Sequence, residues 1–154
     1  MLEISTEHGT VTGLVVDNKE SLYQIGSEMS FGVNADEDLL SDFLSLIEEK
    51  YHRVGFIKSV HVEHDHRGKG AGKELMAAFL KDHCQRSQID FLFAATQHPQ
   101  QPGFNLVQFY KKQGFEPVFV SNGDVCMVNK GQARALKHEL GFDIRREEGF
   151  SRER

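Results

Sequence analysis

Six residues, Arg67-Gly68-Lys69-Gly70-Ala71-Gly72, carry the densest chemical signal in the chain. They follow an apolar run, Val60-His61-Val62, and stand directly before an amphipathic segment. Glycines between a strand and a helix let the backbone turn tightly and leave amide N–H groups unshielded. The free amides of the helix's first turn point at the same spot, and the helix dipole adds partial positive charge there. A turn of this kind is suited to a pyrophosphate. An ordinary strand-to-helix turn needs neither three glycines nor the flanking cations Arg67 and Lys69.

Other residues nearby could move protons or bind ions. Strand alternation puts His61 and Glu63 on one face and Val60 and Val62 on the other. Either His61 or Glu63, or a water chain, could accept a proton. His61, His64 and His66, with Glu63 and Asp65, raise a metal-dependent hydrolase as a further reading. Their spacing matches no helical H-E-x-x-H arrangement, and alternation scatters them over two faces, so a solvated strand end is the better expectation and no metal site is assigned. Cys84 and Cys126 lack an activating neighbour in sequence and fit core positions, so both are expected to be structural thiols.

These groups need elements to position them. Residues 2–17 read as two strands joined at Glu7-His8-Gly9, and 22–30 as a further short strand. Leu39, Leu40, Phe43, Ile47 and Tyr51 recur at helical spacing over 35–51, behind Asn34 and the acidic Asp36, Glu37 and Asp38. A long strand at 53–63 leads into the glycine turn, and a helix over 71–86 follows with Leu75, Met76, Phe79, Leu80 and His83 on one face. Ile89–Thr96 is a continuous apolar run, as expected of a strand covered on both faces. After a loop at 97–104 come a short helix over 105–113, two strands about Ser121-Asn122-Gly123-Asp124, and a helix at 131–140. The order predicts an α/β (α+β) fold with a mixed, mostly antiparallel central sheet flanked by helices. The strands either side of the first crossover helix should be parallel. Residues 1–142 read as one domain and 143–154 as a charged, solvated tail.

The residues resemble those of the GCN5-related N-acetyltransferase (GNAT) family. Arg67-x-x-Gly70-x-Gly72 is similar to that family's acetyl-CoA-binding signature, Q/R-x-x-G-x-G/A. A second block, Phe109-Tyr110-Lys111-Lys112-Gln113-Gly114-Phe115, resembles the F-Y-x-K-x-G-F that closes the next helix. The blocks stand in the family's order with a strand between them, and the likeness spans about 53–128. It implies an acyl-CoA N-acyltransferase-like fold and transfer of an acetyl group from acetyl-CoA to a primary amine by direct attack in a ternary complex. The expected cofactor-binding residues are Val60, His61, Val62, Arg67, Gly68, Lys69, Gly70, Ala71, Gly72, Asn105 and Tyr110. Tyr110 is the candidate general acid beside the cofactor sulfur, with Glu63 and His61 as candidate bases. Two departures stand out. The helix at 35–51 sits directly before the central strand, and Gly103 occupies the place where many members carry a cofactor-binding Asn. Asn105 lies two residues on, where it also fits an N-cap with Gln108 at the third helical position.

Bulk properties narrow the partners. At 154 residues the chain can bury a core without disulfides. A net charge of −5 argues against a nucleic-acid partner and suits a cationic amine. No apolar run reaches membrane-span length and the N-terminus has no secretion-signal pattern, so a cytoplasmic location without a membrane partner is expected. A non-catalytic CoA-binding or regulatory module on the same fold stays open, as does a homodimer through the C-terminal helix. The acceptor amine is not readable.

Overall fold

The computed structural model describes residues 2–17, 25–26, 35–95 and 105–141. The alternation of Leu2–Thr6 (β1) and Gly9–Val16 (β2) forms the expected hairpin, turning at Glu7 and His8. Helix α1 spans Glu37–Lys50 and buries Phe43 and Ile47, the centre of its apolar stripe. Its N-cap is Asp36, whose carboxylate accepts from the Leu39 amide at 3.2 Å, rather than Asn34, which lies outside the described residues. Of the strand expected at 22–30, only Ile25 and Gly26 are described, and both are helical. The charged tail at 143–154 and the loop at 97–104 also fall outside the described residues.

Strand β3 (Val54–Val62) leads through a 3-10 turn (His64–His66) to helix α2 (Ala71–His83) and strand β4 (Ile89–Ala95). Helix α3 (Leu106–Lys112), strands β5 (Glu116–Ser121) and β6 (Asp124–Val128), and helix α4 (Ala133–Leu140) complete the described elements. The sheet order is β1-β2-β3-β4-β6-β5. β3 and β4 run parallel across the α2 crossover and every other adjacent pair is antiparallel, as expected.

Each face of the sheet carries its own core. Phe43 and Ile47 of α1 and Leu136 of α4 pack on Leu14, Phe56, Phe91, Phe119 and Cys126. Leu75, Met76 and Phe79 of α2 and Tyr110 of α3 pack on Val11, Ile57, Leu92, Ala94 and Met127. Burial of such side chains contributes about 1.5–3 kcal/mol each. A buried polar cluster fastens the end of the sheet where β4 begins. The Asp90 carboxylate, fully buried, accepts from Ser87 Oγ at 2.5 Å and Asn129 Nδ2 at 2.8 Å. Lys130 Nζ lies 3.5 Å from Asp90 and donates to the carbonyls of Cys84 (2.7 Å) and Ser87 (2.6 Å), capping the C-terminal end of α2.

Two irregularities open the other end of the sheet. β3 pairs with β4 only from Val54 to Ile57, although β3 runs on to Val62 and β4 to Ala95, so the two strands part beyond Ile57 and Leu92. The β2–β3 register jumps from Gly13↔Ile57 to Thr12↔Ser59 and skips Lys58, the mark of a β-bulge. The bulge reverses the side-chain parity of β3. Val60 and Val62 therefore face the α2 side with Ile57, where strict alternation from Ile57 would turn them away. Among the described residues no helix is long and apolar enough to cross a membrane.

Candidate active site

A cavity of about 870 Å³ lies beside the released end of β3, bounded by the glycine turn, the start of α2 and one face of α3, with no β4 residue in its lining. It is large enough for a drug-sized ligand or cofactor. Val60, His61 and Val62 contribute from β3, and Arg67, Gly68, Gly70, Ala71 and Gly72 from the turn and helix start. Tyr110 lines the opposite wall. The structure thus brings together nine of the expected cofactor-binding residues. Lys69 is exposed and Asn105 caps α3, its side chain accepting from the Gln108 amide at 3.0 Å; neither is among the lining residues.

The turn has the local geometry of an anion cradle. Gly68 (φ +78°) and Gly70 (φ +84°) both adopt the left-handed conformation that favours glycine, and nothing lies within 4 Å of a Cβ built on either. Gly70 is the N-cap of α2 and supplies no side-chain cap, unlike Asp36 and Asn105 at the starts of α1 and α3. The first helical hydrogen bond runs from the Glu74 amide to the Gly70 carbonyl at 3.1 Å. The amides of Ala71, Gly72 and Lys73 precede it and keep their donors for a ligand.

Side chains brace this turn against the hairpin. Arg67 Nε donates to the Val62 carbonyl at 3.0 Å, and the Glu63 amide donates to the His8 carbonyl at 2.8 Å. The His8 and His66 rings stack with centroids 4.2 Å apart and planes 11° apart. The histidines expected to be a solvated strand end are thus partly a packing contact. Among the described residues no group of three or more His, Cys, Asp or Glu side chains could hold a metal ion.

Tyr110 combines cavity lining with burial. Its ring, only 7% exposed, makes edge contacts with Phe109 (5.1 Å) and Phe115 (6.3 Å). Desolvation pushes its phenol up to about 12, so the hydroxyl stays protonated throughout the neutral range. His61 and Glu63 share the face away from Val60 and Val62, with Nε2 and Oε1 3.7 Å apart and both side chains more than half exposed. His61 touches the cavity; Glu63 is not among its lining residues. Burial, reinforced by Asp90, pushes the Cys84 thiol up, and burial alone does so for Cys126. Neither thiol ionises near neutral pH, which leaves both as core groups rather than acetyl carriers.

Sequence reasoning missed the α3 face beyond Tyr110. Leu106, Phe109 and Gln113 line the cavity with Tyr110 at helical spacing, a signal that reading the segment only as a motif overlooks. Gly72 has a second reason to be glycine. A Cβ there would lie 3.1 Å from Phe109 Cζ and 3.5 Å from Val62 Cγ2, so its absence lets α3 close on α2.

The parted parallel strands, the uncapped helix and the left-handed glycines together suit an anionic group. The family model for the acetyltransferase (GNAT) family matches residues 7–115. The chain belongs to that family, and its mixed six-stranded sheet has the acyl-CoA N-acyltransferase-like arrangement. Comparison with curated protein sequences gives no match. Among solved structures the chain is similar to PH1933 from Pyrococcus horikoshii OT3, at 19% identity and a TM-score of 0.47, covering 79% of this chain and 57% of that one. It is similar to Arabidopsis thaliana NAA60 in complex with a bisubstrate analogue, at 20% identity and a TM-score of 0.48, covering 79% and 64%. A mosquito arylalkylamine N-acetyltransferase-like protein gives 10% identity and a TM-score of 0.47, covering 79% and 68%. The chain therefore spans less than two thirds of the length of the first two.

Proposed function

We propose that the chain binds acetyl-CoA in the cavity beside the released end of β3 and transfers its acetyl group to a primary amine by direct attack. The observation that carries this reading is the convergence, in one cavity, of the uncapped amides of α2, two left-handed glycines and the unpaired edge of β3. The amides and the Gly68–Gly72 backbone suit the pyrophosphate. The length of β3 beyond Ile57, freed from β4, offers backbone groups to the amides of the pantetheine arm, which would lead the thioester into the gap between the strands. Holding amine and thioester together supplies much of the acceleration in a reaction of this type.

In this reading Tyr110 is the acid. Attack by the amine nitrogen on the thioester carbonyl forms a tetrahedral intermediate, and collapse breaks the C–S bond. A phenol near 12 is a weaker acid than a thiol near 8.5, so its largest contribution is a hydrogen bond to the departing sulfur rather than complete proton transfer. The ammonium proton leaves through His61, Glu63 or water. A second reading, a CoA-binding module without turnover, draws support from the packing of Tyr110 between Phe109 and Phe115, which explains the residue without chemistry.

Titration calorimetry with acetyl-CoA, followed by an amine panel, tests both. Micromolar binding that Gly70→Glu abolishes is expected, because the new carboxylate would occupy the anion site in a strained conformation. Tyr110→Phe should lower turnover about 10- to 100-fold with acetyl-CoA affinity unchanged. Absence of binding would overturn the reading. Binding without transfer to any amine, and no effect of Tyr110→Phe, would favour the second.

A further inference from the structure

A second, smaller cavity of about 320 Å³ lies between α2 and the β1–β2 hairpin, at the open edge of the sheet. Small-molecule sites begin at roughly this size. One face of each element builds it. Ala71, Glu74, Leu75 and Ala78 recur at helical spacing along α2, and Ile4 faces them from the edge strand β1. Glu7 and His8 close it from the hairpin turn.

The lining joins an apolar floor to an acidic rim. Ala71 and Leu75 are buried, and Ile4 and Ala78 are half-buried. The short side chains of Ala71 and Ala78 leave the space that larger ones would fill. Glu7 and Glu74 are exposed, and the described lining residues include no lysine or arginine. His8 Nε2 already lies 3.1 Å from Glu7 Oε1. Glu74 forms no ion pair with a described residue. The helix dipole favours a carboxylate in this first turn. The same helix end has to serve the anion cradle, because the Glu74 amide closes on the Gly70 carbonyl and the amides before it face the larger cavity. The negative charge of Glu74 therefore opposes an anion held one turn away, unless a cation offsets it.

We propose that the smaller cavity binds a short-chain alkylammonium ion, and that its occupancy tightens coenzyme binding in the adjoining cavity. The ammonium would sit at Glu74 and Glu7, with the chain on Ile4, Leu75 and Ala78. The coupling rests on reading the larger cavity as the coenzyme site; the cation site does not. Exposed carboxylates alone hold a cation weakly in water, so the chain has to supply part of the affinity. Ala71 lines both cavities, so the two ligands meet the first turn of α2 from either side. Their charges are opposite, which makes the coupling attractive, and it must be reciprocal.

Calorimetric titration of the whole chain at low ionic strength tests both halves, with n-hexylammonium chloride alone and with coenzyme A in its absence and presence. Free coenzyme A carries no acetyl group, so no amine is consumed. Saturating hexylammonium should tighten coenzyme A about fivefold or more. Methylammonium at the same concentration, with the charge but not the chain, should change it by less than about twofold. Ala78→Phe fills the cavity from a half-buried position. It should remove the hexylammonium effect and leave the affinity for coenzyme A alone unchanged. Glu74→Gln should weaken hexylammonium and by itself tighten coenzyme A, since it removes the opposing charge. No binding of hexylammonium would overturn the proposal. So would an effect that survives Ala78→Phe, because the amine would then act from another site. Hexylammonium binding that Ala78→Phe abolishes, with coenzyme A affinity unmoved, would uphold the site and overturn the coupling. Failure of coenzyme A to bind at all would overturn the coupling together with the function it rests on, and hexylammonium alone would then decide the site.

Discussion

Tyr110 shows how one side chain belongs to a core and to a cavity wall at once. Its ring belongs to the α2-side core while its edge borders the cavity, and the burial that packs it also keeps its phenol protonated. This has a consequence for stability. The unfolded phenol loses its proton near 10 and the folded one near 12, so between those values the unfolded state binds fewer protons. Stability is then undiminished by this group below pH 10 and falls as pH rises through 12. Urea unfolding across pH 9 to 12 should show that decline shallower in Tyr110→Phe than in the unsubstituted chain. An identical slope would mean the phenol is not desolvated. The motif pointed to Tyr110 from sequence alone; only the fold shows what its neighbours do to it.

Among the elements, β3 decides the site, because it is fastened at one end and released at the other. At the fastened end Gly55 faces Asp90 Oδ1 and Cys84 Sγ, and a Cβ there would lie 3.1 Å from the sulfur and overlap the carboxylate oxygen. The Asp90 cluster in turn ties Ser87, Asn129 and Lys130 together beneath the end of α2. Gly55→Ala should therefore destabilise by about 1–3 kcal/mol, read as a lower urea midpoint at unchanged slope. A change within about 0.5 kcal/mol would show that the cluster yields without cost. At the released end the bulge at Lys58 sets the parity of Val60 and Val62. Alternation in the sequence separates these valines from His61 and Glu63, but it cannot reveal which face each pair takes relative to Ile57.

At the scale of the molecule, ligand and fold should be coupled. The cavity lies between two helices and a strand, so a ligand there contacts all three elements at once. Acetyl-CoA at a hundred times its dissociation constant should stabilise the chain by about 2.7 kcal/mol. For a protein of this size that raises the melting temperature by about 5–10 °C in a thermal scan. Gly70→Glu should abolish the shift; a shift that survives it would place binding elsewhere.

The boundary between sequence and tertiary structure follows from the range of the interactions involved. Local patterns were sufficient where neighbours along the chain determine the outcome. The glycine turn, the helix at 37–50 and the Asn105 cap all depend on residues within a few turns of each other along the chain. Tertiary structure decided whatever needs partners distant in sequence. The parting of β3 from β4 depends on the register of two strands separated by a helix, and the bulge on a hairpin some fifty residues upstream. The close approach of Gly72 and Phe109 that bounds the cavity exists only when α2 and α3 meet. Periodicity records which face of an element is apolar. What that face meets is set by packing, and the chemistry of the site resides there.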